Sequence, residues 1–192
     1  MTRLTLNGVR LAFCHLDQPR AAAEGAAPKY SAVLIVPKDH AQLDELKNAI
    51  REAATEKFGA KKPAGLKNPM RDGDEIDAET SERVKGPEFA NAYYVSATSK
   101  KPVEIIVGKS KAPASDPDHY RSGHYASVKV ATFGYDVSGS KGVALGLNSI
   151  WLTKRGEPLG GAAEPWAEVE AEDFSGVLQK VAGQAPSDDD IF

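Results

Sequence analysis

Between Tyr125 and Tyr135 the chain reads YASVKVATFGY. Read as a β-strand, whose side chains alternate between faces, it sends Ala126, Val128, Val130, Thr132 and Gly134 to one side. Tyr125, Ser127, Lys129, Ala131, Phe133 and Tyr135 go to the other. The first set is small or apolar and suits a barrel interior. The second puts three aromatic rings and a cation on the face that should meet water. Flat rings stack on unpaired bases, for about 1–3 kcal/mol per base, and lysine neutralises phosphate. These residue types at this spacing therefore fit a single strand of nucleic acid. The competing arrangement buries the rings under a helix or a loop as a second layer of core.

Other groups add to the strand. Tyr93 and Tyr94 point to opposite faces, so at most one can join such a surface; Tyr94 is the candidate, together with Trp151. Lys100 and Lys101 stand at a strand end, and Lys109, Lys111 and Arg121 flank a loop over 108–123. Singly, each is an ordinary solvated charge. Around an aromatic strand they describe a cationic groove.

A second constellation closes the chain, PSDDDIF. Asp188, Asp189 and Asp190 repel one another in a folded terminus, whereas Ile191 and Phe192 gain nothing in a free one. The combination fits a peptide that orders on a partner's surface. The Phe192 ring and α-carboxylate enter an apolar pocket beside a basic residue, and the aspartates steer the approach. Residues 164–192 hold eight acids and one base, a net −7, which leaves 23 bases and 19 acids, a net +4, on residues 1–163. A basic body with an acidic tail suggests a polyanion surface and a built-in competitor for it. Solubility alone is the plainer reading of the same asymmetry.

The elements that must position these groups are mostly strands. In LTLNGVRLAF, Leu4 and Leu6 share a face, and after Gly8 the apolar phase moves to Val9, Leu11 and Phe13, as at a β-bulge. Residues 18–28 read as a loop and KYSAVLIVP as a buried strand ended by Pro37. Asp39 and Gln42 are placed as N-cap and N3 of a helix carrying Leu43, Leu46, Ile50, Ala53, Ala54 and Phe58, with Gly59 as its stop. A long excursion over 60–90 precedes strands at ANAYYVSAT and VEIIV. HYASVKVATFGYDV and VALGLNSIWL then flank the turn SGSKG as a hairpin. Six strands and one helix predict an all-β fold with one helix, a small β-barrel with long loops. Exposed barrel edges permit a homodimer. From residue 160 Gly, Ala, Glu and Pro take over, so the reading is a domain over 1–161 and an acidic, flexible tail over 162–192.

Enzyme readings are weaker. Asp72, Asp74, Glu75, Asp77 and Glu79 are close in sequence, but two-metal chemistry needs carboxylates converging from separate elements. The run also lacks the glycine position and bidentate Glu spacing of an EF-hand. Cys14 and the scattered His15, His40, His119 and His124 lack zinc spacing. Phosphate loops, nucleophile elbows and dinucleotide fingerprints are missing, and GEPLGG reads as a turn. No cofactor or metal is expected. One cysteine and no apolar run of about 20 residues fit the cytoplasm and no membrane. An interaction protein of the virion, with a protein on the aromatic face, is the alternative from another class.

The phrases GVRLAF (8–13), KYSAVLIVPK (29–38), MRDGDE (70–75), AYYVSATSKKP (92–102), YRSGHYASVKVATFGYD (120–136) and GLNSIWLTKRGEPLGG (146–161) occur in this order. Together they resemble phage-encoded single-stranded DNA-binding proteins, a family formerly catalogued as a domain of unknown function. The resemblance implies an OB-fold that binds single-stranded DNA without sequence preference in phage replication or recombination. SDDDIF is similar to the acidic tip of bacterial and phage single-stranded DNA-binding proteins, which engages replication and repair enzymes. The usual bacterial tip has proline before its last aromatic residue, where this chain has Ile191.

Overall fold

A computed structural model describes residues 1–21, 25–60, 63–137 and 139–159. Among them the elements are β1 (Thr2–Arg20), β2 (Lys29–Pro37), α1 (Leu43–Phe58), β3 (Met70–Asp72), β4 (Ala92–Ser99), β5 (Glu104–Val107), β6 (Ser110–Ala112), β7 (Tyr125–Val137) and β8 (Ser140–Lys154). β1 is the spine: its first half pairs with β7 and its second half with β2, both antiparallel. β2 pairs onward to β4, and β7 to β8. Parallel pairing of Ala97 with Leu145 and Thr98 with Gly146 joins β4 to β8. These five strands close into an OB-type barrel, with α1 between the second and third of them. β3 hangs off β4, and the β5–β6 hairpin off β8. Three-residue strands such as β3 and β6 are too short to show a period in sequence.

The bulge at Gly8 is present. Gly8 has φ +71°, the β1–β7 register breaks between Leu6 and Val9, and Leu4, Leu6, Val9 and Leu11 all face inward. Phe13 corrects the expected phase. A second bulge, with Phe13 at φ +45°, breaks the β1–β2 register between Ala12 and His15. Phe13 turns outward, and Cys14 and Leu16 take the inward places. No glycine marks this site, so the pattern alone misses it. β1 also runs through Arg20, which pairs with Lys29, into the stretch expected as loop.

The helix starts later than expected. Gln42, not Asp39, stands at the N-cap, and its side chain makes no cap hydrogen bond. It works on the β1 edge that β2 leaves bare: Gln42 Oε1 accepts the Asn7 N–H at 2.8 Å, and Nε2 donates to the Thr5 carbonyl at 2.9 Å. One side chain thus stands in for a strand's hydrogen bonds. The other end is as expected: Gly59, at φ +76°, donates its N–H to the Thr55 carbonyl. Leu43, Leu46, Ala49, Ile50, Ala53 and Ala54 bury α1 against the barrel core.

Candidate nucleic-acid interface

β7 alternates as its sequence reads. Ala126, Val128, Val130 and Thr132 are buried inside, Lys129 and Phe133 are exposed, and Tyr125, Ser127 and Tyr135 are half-buried. Phe133 is 38% exposed, so the rings are not sealed beneath the helix. A glycine on β8 leaves room for one of the rings. Gly142 is paired with Tyr135, and a Cβ there would collide with Lys67 and the Tyr135 hydroxyl, whereas a Cβ on Gly146 would rest on the Phe133 ring at ordinary contact distance. Missing side chains on one strand leave room for aromatics of the next. Trp151, paired with Ser127, is 50% exposed on the same face. The strip from Tyr125 to Phe133 is about 27 Å long, the scale of a few nucleotides.

A second pattern crosses the strands. Register pairs Arg71 with Tyr94, Tyr94 with Ile35, Ile35 with Arg10, Arg10 with Tyr125 and Tyr125 with Lys154. The result is one lateral row of cations and rings, roughly 24 Å across six strands. The Arg10 guanidinium and the Lys154 ammonium each lie 5.7 Å from the Tyr125 ring centroid. Such cation–π contacts keep charge beside a ring without neutralising it. Arg10, Arg71 and Lys154 are absent from the sequence-based set because nothing local tells which strands lie side by side.

The middle of the row is covered. Tyr94 is only 7% exposed, its ring edge-on to Phe89 at 5.3 Å, so its candidacy as an open stacking surface is corrected. Phe89, 1% exposed, comes from a 3-10 turn, Pro87–Phe89, in the long excursion before β4. It also stacks on Phe13, with centroids 6.2 Å apart and planes at 11°. The acidic run secures that excursion. Lys38 Nζ pairs with Asp72 at 2.8 Å and Asp74 at 3.0 Å, Arg83 pairs with Asp74 at 3.0 Å, and both Asp74 oxygens accept the Asn91 N–H. Asn91's N–H and Lys38 hold the Asp74 carboxyl below its ordinary pKa, and the two carboxylates raise that of Lys38. Asp77 is engaged as well, capping the N–H groups of Glu79 and Thr80. These acids pin a loop.

The remaining cations scatter. Lys100 and Lys101 are exposed in the turn after β4, and Lys109 is exposed between β5 and β6. Lys111 stands in register with Ile106, which in turn pairs with Trp151, but its ammonium pairs with Glu104 at 2.6 Å. Arg121 pairs with Asp118 at 2.6 Å. Surface pairs of this kind are worth about 0–1 kcal/mol, so both remain available to a phosphate at little cost. Asp188, Asp189, Asp190, Ile191 and Phe192 lie outside the described residues. Among the described residues no helix is long and apolar enough to cross a membrane.

A family model described as Enterobacter phage Enc34, ssDNA-binding protein, matches residues 2–179. "Putative protein p50" of Acyrthosiphon pisum secondary endosymbiont phage 1 is 32% identical over 170 residues, covering 83% of this chain and 87% of the relative. Among solved structures, the single-stranded DNA-binding protein from bacteriophage Enc34 in complex with ssDNA matches with a TM-score of 0.72 at 24% identity, over 82% of this chain and 89% of the other. Bacteriophage T7 gp2.5, a single-stranded DNA-binding protein, matches with a TM-score of 0.53 at 12% identity, over 85% and 98%. These two structural likenesses concern the fold. By the near-complete family match and the p50 relative, the chain belongs to the Enc34 phage single-stranded DNA-binding protein family.

Proposed function

We propose that this chain binds single-stranded DNA without sequence preference in phage replication or recombination, in the host cytoplasm and without catalysis. The observation that carries the reading is one open face on which Phe133 and Trp151 flank Lys129, with Tyr125 set between Arg10 and Lys154 at its end. Rings supply stacking that every base accepts, and the cations meet phosphates. Neither interaction reads a base edge, hence the lack of sequence preference. Family membership supports the same reading.

In this reading residues 1–161 hold the DNA and residues 162–192 serve partners. The acidic tip engages phage or host replication and recombination proteins and competes with DNA for the cationic surface. Fluorescence anisotropy tests the core claim: the chain is expected to bind labelled oligo(dT) far more tightly than duplex, with affinity falling as salt rises. Equal affinity for duplex, or binding indifferent to Phe133→Ala combined with Trp151→Ala, would overturn it. Deleting residues 187–192 is expected to leave DNA binding unchanged or tighter while partner recruitment is lost.

A further inference from the structure

The outward side of β1, β2 and β4 is apolar where a barrel should be polar: Ala12, Val33 and Ile35 are all buried there. They are covered from outside by Phe89 and Leu159, with Phe13 and Tyr94 beside them. The two covers are held very differently. Phe89 sits in the loop pinned by the Lys38, Asp72, Asp74 and Arg83 ion pairs. Leu159 ends a short strap after β8. Its holds are Gly156 N–H to His124 Nδ1 at 3.3 Å, Arg10 Nη2 to the Glu157 carbonyl at 3.1 Å, and Leu159 N–H to the Ser122 carbonyl at 3.1 Å. These are three hydrogen bonds beside a close approach of the Gly123 and Gly156 backbones, without the ion pairs that pin the Phe89 loop, and Glu157 and Pro158 are exposed.

The wall of the seat is unusual too. Phe13 keeps a left-handed backbone, φ +45°, which bulky residues avoid and which concentrates at ligand sites. Its ring lies flat on Phe89, with the Lys85 ammonium 6.0 Å from its centroid. Arg10, which links the strap to the row, stands next to Tyr125.

We propose that Leu159 is a displaceable plug in a base-binding seat, a reading that rests on the single-stranded DNA function above. A strand lying on Lys154, Tyr125 and Arg10 lifts the strap. An unpaired base then takes the leucine's place on the apolar patch that Phe13 borders, and Arg10 exchanges the Glu157 carbonyl for a phosphate. A planar base gives Phe13 a π-face that leucine lacks. Lifting the strap draws on the free energy of DNA binding, so a weaker plug means a tighter complex.

The test is oligo(dT) anisotropy on the full chain, with amide exchange at Leu159 by NMR. Leu159→Ala is expected to bind up to about tenfold more tightly, as the competition from a half-buried leucine is removed. Phe13→Leu is expected to bind about 5- to 100-fold more weakly, and Phe13→Tyr like the parent chain. The Leu159 amide should lose protection when DNA is added. A folded Leu159→Ala chain with unchanged or weaker binding, or a Leu159 amide still protected in the complex, overturns the plug and leaves the DNA reading standing. A parent chain that binds no oligo(dT) overturns both.

Discussion

Two outward faces of one barrel are built by opposite rules. On β7 and β8 the rings stay open: Phe133 and Trp151 are exposed, and Gly142 on β8 leaves room for the Tyr135 hydroxyl. On β1, β2 and β4 the apolar side chains are roofed by Phe89 and Leu159, residues far away in sequence. The open face belongs to a single hairpin, so its character follows from strand alternation alone. The roofed face depends on where two distant segments come to rest. Exposure is therefore a property of the cover as much as of the strand beneath it.

The sharpest way to break this contrast is one substitution made on each face. Phe89→Ala is expected to cost about 3–5 kcal/mol of stability, as a fully buried ring is removed. Phe133→Ala should stay within about 0.5 kcal/mol. Denaturant melts of the two variants read the difference, and equal losses would mean that Phe133 is core. DNA affinity should invert the order. Combining Tyr125→Ala, Phe133→Ala and Trp151→Ala is expected to lose about 3 kcal/mol or more of oligo(dT) binding with circular dichroism unchanged.

Charge separates the faces less strongly. Lys129→Ala and Lys154→Ala should each lower the slope of log affinity against log salt by about 0.7, as for single strands. Lys111→Ala should change it less, because that ammonium already faces Glu104.

The smallest effect is with pH, and it belongs to the roofed side. Burial lowers the pKa of His124 from its ordinary 6.5, and Arg155 and Arg121 push the same way. Burial likewise lowers that of His15. The unfolded chain then binds more protons near pH 6.5, so stability is full above that value and declines as pH falls below it. Protonation also removes the acceptor for the Gly156 N–H. Thermal melts from pH 7.5 to 5.5 should show the decline, and His124→Gln should reduce it.

How much of this was legible beforehand follows from where each signal lies. Gly8 announced its bulge because a glycine and a phase shift coincide. Phe13 did not, since the second bulge rests on a residue that ordinarily avoids φ +45°. Gln42 sits near the helix start and invites a capping reading, but the unpaired β1 edge competes for its amide and wins with two hydrogen bonds. Tyr94 lies on the outward side of β4, and a pattern of alternation says nothing about Phe89 lying over it.

The amino-acid sequence by itself determined six strand segments, five of which form the barrel, the helix stopped by Gly59, and the division of β7 into a core side and an aromatic, cationic side. Each is a periodic or turn signal carried by adjacent residues. Only the tertiary structure decided that Arg71, Tyr94, Ile35, Arg10, Tyr125 and Lys154 form one row. Only it decided that Leu159 and Phe89 close the row's centre. Register and covering come from contacts between segments tens of residues apart, and no local period encodes which of them will meet.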